Sequence, residues 1–227
     1  MVRSVVPPPP RPVGLREAKK ARTRQAISDV ATRLFAERGF EAVPVADIAA
    51  AADVSVKTVF NYFPTKEDLF FDRAAEIERA LVLTIQTRPA GSTVTAALRE
   101  LFSANRVPFP GQGWRGLRDP GQYEAFRTYL ATEARSTALR ARRLVISQAW
   151  AETLAPVIAT AFGLRDDAPA GRTYAAMLMA IAALRSGVLA DAMLDGRSAA
   201  VTERRVRAVV AEGFDRLEAA FADLDRH

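Results

Sequence analysis

Apolar positions along the chain recur at intervals of three and four, the period of helices with one buried face. Ile27, Val30, Ala31, Leu34 and Phe35 form the first such stripe and predict a helix over about 16–38. Gly39 stands where a left-handed C′ residue belongs, and Phe40 can fold back on the last turn. Leu69, Phe70, Ala74, Ile77, Leu81 and Ile85 predict one helix beginning at Thr65 and ending before Pro89 and Gly91. Asp68, three residues after Thr65, resembles a capping box. Val94, Leu98, Leu101 and Phe102 mark a helix at about 93–107. Glycines and prolines make 108–121 a loop. Helices follow at about 122–136, 138–162 with a kink at Pro156, 170–194 and 202–223. No segment alternates as a strand would, so the fold class is all-α.

The most informative stretch is VADIAAAADVSVKTVFNYFPTKEDL, residues 45–69. Its first part predicts a short helix with Val45, Ile48 and Ala49 inward, and Pro44 suits the first turn, where a missing N–H costs little. Asp53 falls at a tight turn, and Asp is one of the few non-glycine residues that tolerate left-handed geometry. Val54 can plug the angle between the helices, and Ser55 is a good N-cap for a second helix to about Tyr62, stopped by Pro64. Small residues at Ala49 to Ala52 permit a steep crossing. Together these predict a helix-turn-helix. Its second helix would expose Val56, Lys57, Thr58, Asn61 and Tyr62, a mixture of apolar, cationic, hydroxyl, amide and aromatic groups suited to a major groove. Periodicity alone also allows two short core helices with Lys57 and Asn61 solvated.

Charge adds to this picture. The net charge is +6. Residues 1–66 contain eleven Lys/Arg and six Asp/Glu, whereas residues 67–227 contain twenty-one and twenty. An excess confined to the first third points either to a polyanion partner or to ordinary solvated charge. Composition narrows the chemistry further. There is no cysteine, and the one histidine is the final residue, His227. No metal site, cofactor or His-based catalytic pair is therefore expected. The four lysines, Lys19, Lys20, Lys57 and Lys66, all lie in the first third, and no catalytic constellation emerges, so the chain reads as a non-enzyme. Gly111-Gln112-Gly113-Trp114-Arg115-Gly116 fits a dinucleotide string, but Phe109-Pro110 precedes it instead of a strand, so a loop flanking a pocket is the better reading. Residues 1–14, with prolines 7–10, read as a disordered tail without the apolar core of a signal peptide. No apolar run approaches 18 residues, and a cytoplasmic protein is expected.

Thr58 to Phe63 followed by Lys66-Glu67-Asp68-Leu69 resembles the TetR family of bacterial regulators. Ile48-Ala49 before Asp53-Val54-Ser55, and Leu34-Phe35 before Gly39-Phe40, extend the resemblance over about residues 24–70. Three positions depart from the family pattern: Asp53 for Gly, Phe60 for Tyr, and Pro44 for a capping Ser or Thr. The resemblance implies a three-helix DNA-binding head, 15–66, joined to a larger helical body, 67–227, for dimerisation and ligand binding. It implies a sequence-specific transcriptional regulator, a repressor released from a palindromic operator by a small molecule. An activator, or a ligand-independent interaction module of the same fold, is the alternative. Val56, Lys57 and Asn61 are then expected at base edges, and Thr58, Tyr62 and Lys66 at phosphates. Arg22 and Arg24, or Arg3 and Arg11 in the tail, are expected to add backbone or minor-groove contacts.

Within the body, two apolar stripes suit a four-helix interface between two copies. The expected interface residues are Tyr174, Met177, Ile181, Leu184 and Val188 on one helix, and Val206, Val210, Phe214, Leu217 and Phe221 on the next. The same stripes would serve equally as intrachain core. Phe102, Asn105, Phe109, Trp114, Tyr129, Gln148, Trp150, Tyr174 and Met177 are large side chains, several with polar atoms. If they converge they line a mainly apolar effector pocket; otherwise they are core.

Overall fold

The computed structural model describes residues 14–104 and 118–225. The tail reading, the GxGxxG segment and the expected pocket residues Asn105, Phe109 and Trp114 lie outside them. The described residues form ten α-helices and no strand: α1 (Leu15–Arg38), α2 (Val45–Ala51), α3 (Val56–Tyr62), α4 (Lys66–Phe70), α5 (Ala74–Gln86), α6 (Val94–Ser103), α7 (Pro120–Arg135), α8 (Thr137–Ala161), α9 (Pro169–Leu194) and α10 (Ala199–Phe221).

Local rules set most of the boundaries. Gly39 adopts φ 82° and its N–H bonds the Phe35 carbonyl at 2.9 Å, closing α1. Thr65 and Asp68 cap each other reciprocally at the start of α4. Thr93, Asp119, Ser136 and Ser198 each accept a backbone N–H at the start of α6, α7, α8 and α10. Asp119 with Pro120 behind it brings α7 forward into a stretch expected to be loop, and Ser198 does the same for α10. Pro44 occupies the cap position before α2 rather than its first turn.

The expected single helix from Thr65 to Gln86 is in fact two, broken at Phe71–Arg73. Asp72 is drawn toward α1, where the Ser28 hydroxyl donates to its carboxylate and Arg24 donates to its carbonyl at 2.7 Å. Phe71 packs edge-on against Phe70 at 5.1 Å, with the Arg143 guanidinium 5.0 Å from its ring. These contacts turn the chain where propensity alone would have continued the helix.

Two apolar cores result. The head core gathers Ile27, Ala31, Leu34, Phe35, Phe40, Val43, Ile48, Val59, Phe63, Leu69 and Phe70, and takes in Leu139 from α8. The body core lies among α5 to α10, where α9 packs against both α8 and α10. The backbones approach closely: a Cβ on Gly171 would stand 2.4 Å from the Ala155 carbonyl oxygen. Arg185 is buried in the body, and desolvation pushes its guanidinium pKa down to about 10. By length and composition α8 and α9, 25 and 26 residues long, match membrane spans, contrary to the reading of short apolar runs. Helices flanked in a core meet the same test, because burial selects the same residues in either setting.

This packing corrects the expected interface. Tyr174, Ile181, Val206, Val210, Phe214, Leu217 and Phe221 are buried within the single chain, because α9 and α10 turn these stripes toward each other and toward α6 and α8. Met177 and Val188 are half-buried, and only Leu184 remains open, at 60% exposure. The outward face of α9 carries Ala176, Ala180, Ala183 and Gly187 beside Leu184.

Some of the expected pocket residues are corrected as well. Phe102 is buried edge-on against Phe214 at 5.4 Å. Tyr174 is buried in a ring cluster with Phe162 and Phe221, its hydroxyl 2.9 Å from that of Thr95. That polar atom is already partnered in the core. Gln148 is exposed and donates to Glu152 at 2.9 Å. Tyr129 stacks on Phe70 at 4.3 Å, joining head to body. Trp150 and Met177 are half-buried against the body core. An open groove between the ends of α5 and α8 is lined by Ile85, Arg88, Pro156, Val157, Thr160 and Asp166, and by none of the expected residues.

Candidate nucleic-acid interface

The geometry of α3 follows from three local features. Asp53 adopts φ 53°, the left-handed conformation the tight turn requires. The Val54 N–H then bonds the Ala49 carbonyl at 3.0 Å, folding the turn back on α2. Ser55 accepts the Thr58 N–H at 3.0 Å, satisfying one of the orphan donors at the helix start. From there Val59, fully buried, anchors the helix, and Phe63 seals its end.

Anchoring through one face leaves the other outside. Val56 is 40% and Phe60 45% exposed, and Lys57 and Asn61 are also exposed. These four positions share one helix face and present two apolar groups, a cation and an amide. Thr58 and Tyr62 are half-buried at its flanks, and the Thr58 hydroxyl lies 2.8 Å from that of Ser55. Lys66 is folded back: its ammonium lies 4.4 Å from the centre of the Phe40 ring and donates to the Glu41 carbonyl at 3.5 Å. Burial lowers its pKa, partly countered by Glu41 and Glu67. Phe60, which the sequence leaves either to pack or to touch a thymine methyl, stands on the exposed face with Lys57 and Asn61. The i, i+4 spacing of Val56 and Phe60 was the available signal.

Arg24, expected near DNA, is engaged inside the protein, with its guanidinium 4.2 Å from the centre of the Phe63 ring. The head is fastened to the body by polar pairs as well as rings. Arg142 donates twice to Asp68, at 2.6 and 3.1 Å, so one carboxylate both caps α4 and holds α8. The Ser136 hydroxyl donates to Glu41 at 2.5 Å, and Arg143 pairs with Glu133.

Asp72 sits in this junction. Burial raises its pKa, opposed by the Ser28 hydrogen bond and by Arg24 and Arg73. A raised carboxyl pKa means that its contribution to stability is complete below the usual carboxylate range. That contribution is lost as pH rises through the raised value. Asp72→Asn keeps an acceptor for Ser28 and removes the buried charge. The variant is expected to be more stable than the parent at neutral pH, with the gap closing on acidification. Urea melts from pH 4 to pH 8 check this; a variant less stable at neutral pH by a margin that ignores pH would contradict it.

The head is thus a helix-turn-helix with its second helix standing outside, joined to an all-helical body. Residues 27–72 match the model for bacterial regulatory proteins of the tetR family. The chain resembles members of that family over this N-terminal stretch. It is 34% identical over 91 residues to the HTH-type transcriptional regulator TcmR of Streptomyces glaucescens, covering 40% of each chain. It is 39% identical over 101 residues to the HTH-type transcriptional regulator LuxR of Vibrio harveyi, covering 38% of this chain and 49% of that one. The chain thus spans less than half the length of these two relatives. In fold it is similar to the crystal structure of a TetR transcriptional regulator from Rhodococcus sp. RHA1, with a TM-score of 0.50 and 18% identity over 90% of this chain and 99% of that one.

Proposed function

We propose that the chain is a sequence-specific repressor that binds a palindromic operator as a homodimer and is released by a small, mainly apolar molecule. The observation that carries the reading is the exposed face of α3, with Val56, Lys57, Phe60 and Asn61 side by side. Asn61 would accept from and donate to an adenine edge, and Lys57 would reach a guanine or a phosphate. Val56 and Phe60 would meet thymine methyls. Thr58 and Tyr62 would position the head on phosphates, and Lys66 would join them by swinging off Phe40.

The division we favour is a head at 15–66 and a body at 67–227, with α4 as the joint. Two copies would meet through the outward faces of α9 and α10, centred on Leu184, and would place their α3 helices about 34–36 Å apart, one turn of DNA. An effector in the body would change that separation through the Asp68–Arg142 and Glu41–Ser136 ties, with a coupling of about 1–3 kcal/mol. The protein would act in the cytoplasm, without cofactor or catalysis.

Selection from random duplexes by the purified protein tests the reading. Enrichment of an inverted repeat, bound by a dimer in a salt-sensitive manner, is expected. Recovery of no common sequence would contradict it.

A further inference from the structure

The groove between the C-terminal ends of α5 and α8 carries charges that the fold leaves unused. Its volume is about 390 Å³, near the low end of the range that takes a small molecule. Ile85, Pro156 and Val157 give it apolar surface, and Arg88 and Asp166 are the charged residues of its lining. The half-buried Arg88 guanidinium donates only to backbone. Its Nη1 reaches the Ile85 carbonyl at 2.7 Å, its Nε that of Ser92 at 3.1 Å, and its Nη2 that of Ala161 at 3.5 Å. These bonds use three of the five N–H groups of a guanidinium. No carboxylate among the described residues pairs with Arg88. Asp166 accepts the Thr160 hydroxyl through Oδ1 at 3.0 Å, while the neighbouring Arg165 turns to Asp167 at 3.8 Å.

One groove thus presents a cation and an anion, not paired with each other, together with apolar surface. That combination has a simple complement: a small zwitterion with an apolar body. Its carboxylate would take the remaining N–H groups of Arg88. Its ammonium would meet Asp166, favoured further by the negative ends of two helices. Its side chain would cover Ile85 and Val157. A purely apolar ligand would leave both charges without a partner, and a simple carboxylate would face Asp166.

We infer that this groove is the effector site and binds an apolar zwitterion of amino-acid or dipeptide size, carboxylate on Arg88 and ammonium on Asp166. This rests on the reading of the chain as a ligand-released repressor. The groove is placed to act on the head. Arg142 near the start of α8 holds Asp68 of α4, and Arg88 just beyond the end of α5 reaches Ala161 at the end of α8. Both helices therefore begin at the joint and end at the groove. A molecule wedged between their far ends tilts one against the other and moves the ends that carry the head.

Calorimetric titration of the full chain with L-leucine, L-phenylalanine and leucyl-leucine tests the site without DNA. At least one is expected to bind, one molecule per chain, with a Kd below about 1 mM. Isoamylamine and isocaproate each lack one charge of leucine and should bind about tenfold or more weakly than the zwitterion. Asp166→Asn should weaken the zwitterion to the same degree and leave isocaproate unaffected. Arg88→Gln should weaken the zwitterion and leave isoamylamine unaffected, with a thermal melt to check its folding. If that variant does not fold, Asp166→Asn alone decides. No binding of any of the three at about 10 mM overturns the site. So does equal binding of the analogues, or binding that both substitutions leave unchanged. The bound zwitterion should also weaken operator binding about fivefold or more. Binding in the groove that leaves operator affinity unchanged overturns the effector role. Failure of the repressor reading is distinguishable, because selection would then recover no operator before any ligand is added, whatever the calorimeter shows.

Discussion

Lys57→Ala combined with Asn61→Ala should reduce the preference for operator over unrelated DNA by about a hundredfold or more. The estimate takes about 1–3 kcal/mol for each good contact to a base edge, with each contact used twice in a dimer. Both side chains are exposed, and neither has a partner whose loss would unfold the head. The melting temperature should therefore barely move, since exposed substitutions of this kind usually fall within about 0.5 kcal/mol. Titrating the double variant against both duplexes, with a thermal melt alongside, separates the effects. Lost preference with intact folding is expected. Full preference in a folded variant would mean that α3 is not the reading element, and an interaction module would become the better description.

The second large effect is structural. Phe70 is buried at the joint, stacked on Tyr129 at 4.3 Å and within 6.3 Å of Phe35 and 6.2 Å of Phe40. Phe70→Ala would leave a cavity shared by head and body and is expected to cost about 3–5 kcal/mol. That is a large part of the roughly 5–15 kcal/mol holding an ordinary domain together. Phe60→Ala is the matched control. It removes the same ring from a position 45% exposed and should cost little stability while weakening DNA binding. Denaturant midpoints for the two variants give the comparison. A Phe70→Ala protein within about 1 kcal/mol of the parent would show that the ring cluster does not brace the joint.

The head was legible in the sequence because short-range rules shape it. Gly39 and Asp53 are placed by backbone sterics, and Ser55 and Thr65 by capping, so residue type at fixed spacing was enough to locate α3 and its outward face. The break between α4 and α5 was not legible. No glycine or proline marks Phe71 to Arg73, and the turn is made by contacts with Ser28, Arg24 and Arg143, the nearest of them more than 40 residues away. The stripes on α9 and α10 raised a different difficulty. Periodicity tells which face is buried, not what covers it, and the same Val206, Val210 and Phe214 pattern fits a partner chain or the chain's own α6 and α9. The polar atoms of Tyr174 and Gln148 suggested a pocket for a similar reason. Whether Tyr174 faces a ligand or Thr95 depends on a residue 79 positions away.

Methylation interference at guanine N7 tests most directly whether α3 lies in the major groove, because that atom is exposed only there. The selected duplex is methylated sparsely, bound by the parent protein, and the bound and unbound fractions are compared. Two clusters of interfering guanines, about 10 base pairs apart and related by the repeat's symmetry, are expected. If methylated guanines distribute evenly between the two fractions while binding persists, the helix from Val56 to Tyr62 does not enter the major groove.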